Sequence, residues 1–137
     1  MKGLLLILFF NLASALLTLA QEGPQFQISI YFRGGDFIVS DEQKIAITDF
    51  LLKIPHVEQY SITIHSHTDH IGGVEFNNWL SKMRSESALE QLLLNSISRD
   101  MIEIRDFGMH NPVYDNSSWE GRRKNRRVDI FLWPLAL

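Results

Sequence analysis

Phe26, Ile28, Ile30 and Phe32 alternate with Gln27, Ser29 and Tyr31, a period of two that predicts a half-buried strand. Gly34-Gly35 breaks that pattern, and Ser40 with Gln43 three residues later reads as a capping box opening a helix. Ile47, Phe50, Leu51 and Ile54 follow at helical spacing until Pro55 stops them. Tyr60, Ile62 and Ile64 alternate with Ser61, Thr63 and His65, which predicts a second strand. A turn through Gly72-Gly73 leads into the longest predicted helix, from Glu75 to about Asn95, a stretch of helix formers without Gly or Pro. Ile102 and Ile104 mark a third strand within Met101 to Phe107, and Val128, Ile130 and Leu132 mark a fourth. Asn111-Pro112 to Gly121 between them reads as a turn-rich connection. The order β-α-β-α-β-(loop)-β predicts an α/β (α+β) two-layer sandwich, with helices packed on one face of a mixed sheet.

The first residues read differently. Lys2 precedes an almost wholly apolar run from Leu4 to Leu19, and Thr18-Leu19-Ala20 offers small residues before Gln21. This is the pattern of a secretory signal peptide over 1–20. An uncleaved membrane anchor is the other reading of the same run, which is short for a span. Cleavage leaves a single domain over 21–137, exported to the periplasm or cell envelope. Its 137 − 20 = 117 residues are enough for one core.

Composition adds two exclusions. Cysteine is absent, which removes disulfide scaffolds, thiol nucleophiles, thiolate metal sites and a lipid-bearing N-terminal cysteine. The net charge of −3 gives no overall nucleic-acid signature, although Arg122-Arg123-Lys124-Asn125-Arg126-Arg127 packs five cations into six positions. Export removes nucleic acid as the partner of that run. It reads instead as a solvated face able to attract anionic groups at long range.

Two motifs compete for the residues after the second strand. His65, His67, Asp69 and His70 match the H-x-H-x-D-H-x-G-G signature of metallo-β-lactamase-like hydrolases, in which metal ions activate water. Those folds resemble chains of about 200 residues, and downstream only His110 remains as a further histidine. A metal-dependent hydrolase on this cluster stands as the alternative reading.

The second motif starts at the same place and continues. His67-Thr-Asp69 is followed by Asn77-Asn-Trp-Leu80-Ser81-Lys-Met-Arg84, by Asn111-Pro112, and by Asn116-Ser-Ser-Trp-Glu120-Gly121-Arg122 through Asn125-Arg126-Arg127-Val128. These blocks, in this order and spacing, resemble the OmpA-like peptidoglycan-binding domain, from about Ile28 to Phe131. Ser66 stands where that family carries glycine before H-T-D, and Ser85 where alanine usually follows the helix arginine. A serine at the glycine position is expected to hinder close backbone approach to a ligand.

The resemblance implies a non-catalytic wall-binding domain without cofactor. Its ligand is peptidoglycan, held through diaminopimelate, whose ammonium and carboxylate share one carbon. Asp69 then accepts from the ammonium and Arg84 grips the carboxylate. Asn77, Ser81 and Arg84 fall on one helix stripe. Thr68 and Asn77 position the loop, Leu80 anchors the helix, Arg127 supports the site from the last strand, and Asn125 holds the local turn. Gly121 is expected to sit in a turn only glycine tolerates, and Trp119 and Trp133 to pack partly into the core. Other envelope or outer-membrane proteins are further candidate partners. A periplasmic interaction module that has lost wall binding is a third reading, which Ser66 and the first loop allow.

Overall fold

The computed structural model describes residues 23–136, so the predicted leader at 1–20 lies outside the described residues. Strands β1 (Phe26–Tyr31), β2 (Tyr60–His67), β3 (Ile102–Gly108) and β4 (Arg127–Pro134) alternate with helices α1 (Asp41–Leu52), α2 (Val74–Leu94) and α3 (Trp119–Asn125). One mixed sheet has the order β1-β4-β2-β3. β4 is antiparallel to both its neighbours, whereas β2 and β3 are parallel. Parallel neighbours need a crossover, and α2 supplies it.

Residue parity decides which side of the sheet each residue faces. Ile30, Ile62, Ile64, Val128, Ile130 and Leu132 are buried on the helix side, against Ile47 and Leu51 of α1 and Ala88 and Leu92 of α2. Each aliphatic side chain so buried contributes roughly 1.5–3 kcal/mol relative to exposure. The opposite face carries Thr63, His65, His67, Phe107, Asp129, Phe131 and Trp133. There the His65 ring stands edge-on between Phe107 and Phe131, with centroids 5.3 and 5.0 Å away. Trp133 packs only partly, its Nε1–H donating to Thr63 Oγ1 at 2.9 Å.

Several local expectations change. Ser40 caps α1 by accepting from Gln43 N, but the Gln43 side chain does not close the box. It pairs instead with both backbone groups of Tyr31, at 2.6 and 2.9 Å, and so ties α1 to the end of β1. The turn-rich connection ends in a helix, α3, that hydrophobic periodicity does not reveal in only seven residues. Its signals are polar ones. Ser118 caps it by accepting from Gly121 N, Glu120 lies in the first turn, and Arg122, Arg123 and Lys124 lie in the last. Gly121 is inside this helix rather than in a strained turn, and it is required for closeness, because a Cβ there would collide with the Asp115 backbone carbonyl. Trp119, expected to be partly packed, is 67% exposed and lies under the Arg123 guanidinium.

Candidate functional site

The end of β2 is where the sheet hands its residues to the site. Register between β2 and β3 shifts at Ser66/His67, and Thr68 N then bonds to Gly108 O at 2.8 Å. Thr68 is buried and its hydroxyl donates to Asp69 O, so the turn is held from within. Ser66 is buried too, and it faces α2. Its hydroxyl donates to Ser81 O at 2.6 Å, while Ser81 Oγ donates back to Ser66 O at 3.1 Å and accepts from Gly108 N. The expected hindrance from Ser66 is therefore corrected, because its side chain stitches the strand to the helix and does not line the pocket. Ser85 likewise turns inward, to Ser81 O and the Asp106 carboxylate.

A pocket of about 170 Å³ opens beside this turn, lined by Gly34, Gly35, Asp69, Asn77, Arg84 and Arg126, with Ile71, Phe76 and Leu80 as apolar wall. Asp69 is 6% exposed. Its Oδ1 accepts from Ile71 N at 3.0 Å and its Oδ2 from Arg126 Nη1 at 3.1 Å. Arg126 is steadied by donating from Nε to Phe32 O.

Arg84 is wholly buried, the largest such side chain among the described residues. It donates from Nε to Asp36 O at 2.8 Å, from Nη1 to His67 O at 3.1 Å and from Nη2 to Arg33 O at 3.1 Å. These bonds fasten the loop that contains Gly34-Gly35 to the end of β2. A guanidinium has five N–H groups, so two, one on each terminal nitrogen, are left over. Burial lowers its pKa to about 10, with Asp69 opposing the shift, and Arg84 stays charged at neutral pH. Asn77 is buried and donates from Nδ2 to Ile71 O, but its Oδ1 has no hydrogen-bond partner. Asn77, Ser81 and Arg84 do share one buried stripe of α2, and Leu80 is buried beside them.

Arg127 lies elsewhere. It begins β4 on the opposite face, where its Nε donates to Asp129 Oδ2 at 2.9 Å and its guanidinium covers Tyr114. The arginine of the basic run that reaches the pocket is Arg126. Strand parity carried the signal: Val128 and Ile130 face the helices, so Arg126, two residues before Val128, falls on their side and Arg127 on the other. Asn125 does hold the local turn, exchanging bonds with Tyr114 N and O and reaching Asn116 Oδ1.

The histidine cluster disperses on folding. His65 and His67 take the open face of the sheet, Asp69 turns to Arg126, and His70 is exposed. Among the described residues no three His, Asp or Glu side chains come together to hold a metal ion. The signature needed its residues around one point, but strand alternation followed by a turn sends them in different directions.

His67 instead stacks on Phe107 at 5.0 Å, with its Nε2 3.9 Å from Asp129 Oδ2. Burial, and then the neighbouring Arg127, lower its pKa to about 4. The folded chain refuses a proton that the unfolded chain accepts. Stability is therefore complete above about pH 6.5 and is expected to fall as pH drops towards 4. Urea unfolding of the native protein and of His67→Gln at pH 7 and pH 4.5 checks this. The native protein should lose more stability than the variant across that interval.

At one end of the two-layer α/β sandwich, then, a buried carboxylate, two guanidiniums and an unpartnered amide oxygen share one pocket. The OmpA family model matches residues 31–126, and the chain belongs to that family. The probable lipoprotein YiaD of Escherichia coli is 30% identical over 89 residues, which are 65% of this chain and 41% of that protein. The peptidoglycan-binding protein ArfA of Mycobacterium tuberculosis is 36% identical over 69 residues, covering 50% of this chain and 21% of that one. The chain thus spans less than half the length of either relative. The crystal structure of the peptidoglycan-associated lipoprotein from Burkholderia pseudomallei superposes with a TM-score of 0.71 at 25% identity, over 77% of this chain and 89% of that one.

Proposed function

We propose that this protein binds peptidoglycan non-covalently, through the diaminopimelate residue of the stem peptide, in the cell envelope. Membership of the OmpA family supports the class of ligand, as does the likeness to ArfA, which is named as peptidoglycan-binding. The observation that carries the finer assignment is the pairing of charge in the pocket. Asp69 offers an anion, Arg84 offers two N–H groups not used within the protein, and Arg126 bridges from the anion's other side.

A zwitterion is complementary to that arrangement. Its ammonium donates to Asp69 and to Asn77 Oδ1, the buried acceptor that has no donor of its own. Its carboxylate accepts from Arg84. Arg126, already 3.1 Å from Asp69, follows the incoming carboxylate, so one ion pair is exchanged for two without leaving a charge bare. Thr68 sets the turn, and the Arg84-held loop with Gly34-Gly35 forms the far wall. Association with the outer membrane, or with other envelope proteins, belongs to this reading.

Co-sedimentation with purified diaminopimelate-type sacculi tests it. The protein is expected in the pellet, with free diaminopimelate returning it to the supernatant. A folded protein that never pellets would sink the proposal. That result would favour a module that has lost its wall ligand.

A further inference from the structure

Four of the five cations in the run Arg122 to Arg127 are engaged within the fold. Arg122 donates to Asn116 O and Ser117 O, Lys124 lies 3.2 Å from Glu120, Arg126 holds Asp69 and Arg127 holds Asp129. Arg123 is the exception. It is exposed, and its guanidinium carbon lies 5.5 Å from the centre of the Trp119 ring. A stacked guanidinium keeps its N–H edge free for an acceptor in its own plane. Arg33, in the first loop, is exposed too, and only its carbonyl is tied down, by Arg84. Among the described residues neither Arg33 nor Arg123 has a carboxylate partner. Both line one cleft of about 680 Å³, together with Tyr31, Phe32, Asp36 and Glu42. The first loop is the partition between this cleft and the pocket, with Gly34-Gly35 lining the pocket and Arg33 and Asp36 lining the cleft. Arg84 and Arg126 fix that partition from the pocket side, through Arg33 O, Asp36 O and Phe32 O. The cleft's own carboxylates have other duties. Asp36 Oδ1 accepts from Ile38 N, and Glu42 lies in the first turn of α1, where the helix dipole favours it.

We propose that Arg33 and Arg123 form a second anion subsite, which takes the free α-carboxylate of the γ-linked glutamate next to diaminopimelate in the stem. This rests on the reading of the pocket given above. Charge sets the class of ligand, because a guanidinium without a partner suits a planar anion that it can grip with two N–H groups. Connectivity sets which anion. That glutamate is joined to diaminopimelate through its side-chain carboxyl, so its α-carboxylate is left free one residue from the zwitterion. Roughly ten bonds separate the two, about 12 Å when extended. The partition is one chain thick, about 5 Å, so the stem can cross it with the zwitterion still in the pocket. The subsite then reads whether this carboxylate is free or amidated.

The test compares two synthetic peptides on the whole protein by calorimetry: L-alanyl-γ-D-glutamyl-diaminopimelate, and the same peptide with the glutamate α-carboxylate amidated. The acid form is expected to bind about fivefold more tightly at low salt, the size of an exposed charge contact, and to lose that margin as salt is raised. The double variant Arg33→Gln, Arg123→Gln should bind the two peptides equally, and each single variant should keep part of the preference. Both side chains are exposed, and glutamine at 33 retains the carbonyl that Arg84 uses, so the variants are expected to fold; circular dichroism verifies this. Equal binding of the two peptides by the native protein overturns the second subsite while the pocket reading stands. A preference that survives in the double variant overturns it as well, since other groups would then read the carboxylate. Binding of neither peptide removes the pocket reading and the subsite together.

Discussion

Arg84→Ala is expected to destabilise the protein by about 3 kcal/mol, the order seen when one member of a buried charged network is deleted. The reason is its position. The guanidinium is wholly buried and satisfies the carbonyls of Arg33, Asp36 and His67, which come from two separate segments. Deletion leaves three acceptors facing a void, and the loop through Gly34-Gly35 loses its fastening. Arg84→Lys keeps the charge, but a single ammonium on a flexible stem does not reproduce a planar fork, so it should restore less than half of the loss. Urea denaturation measures the change, and amide hydrogen exchange locates it. Faster exchange in residues 33–39 is the expected signature. A stability equal to the native value would show that this buried charge does not organise the loop.

Asp69→Asn is the sharper test of binding. It removes the one carboxylate lining the pocket while keeping the side chain's shape. Ligand ammonium then meets no counter-ion, and Arg126 loses its partner at 3.1 Å. Truncating one side of a desolvated charge pair costs about 2–5 kcal/mol. Affinity for a diaminopimelate-containing stem peptide is expected to fall by a hundredfold or so on that basis. Stability falls too, by about 1–3 kcal/mol, because Arg126 is left half-buried and unpaired. Titration of the folded variant with the peptide separates the two effects. Undiminished binding would exclude Asp69 as the ammonium acceptor.

The two substitutions differ in what they reveal about legibility. Asp69 and Arg84 stand fifteen residues apart in blocks that the family resemblance, not their spacing, assigns to one site, and the structure lines one pocket with both. Their division of labour was not legible. Arg84 was expected only to grip a ligand, but three of its N–H groups hold the protein's own backbone, and two of the three acceptors come from the first loop, about fifty residues earlier. No local pattern announces a side chain bonded to carbonyls that distant. The basic run gave the opposite difficulty. Five cations in six positions look interchangeable in a row of letters, and only the pairing of β4 with β2 separates Arg126 from Arg127.

The histidine cluster shows the same division from the other side. Four ligand-type residues within six positions look like a metal site when adjacency is read as proximity. A strand sends alternate side chains to opposite faces, and a turn redirects the rest, so the cluster is split between the open face of the sheet, the pocket and solvent.

The order of the four strands and the first two helices, the two-layer architecture and the family were determined by the sequence itself, because hydrophobic periodicity and spaced motifs are properties of the chain and survive without tertiary contacts. Tertiary structure alone decided which arginine meets Asp69, what Ser66 and Arg84 bond to, that Asn77 keeps a buried oxygen without a donor, and that Arg33 and Arg123 line one cleft beside the pocket. Each of these depends on the direction of a side chain relative to groups far along the chain. That direction is fixed only when strand register and helix packing close around it.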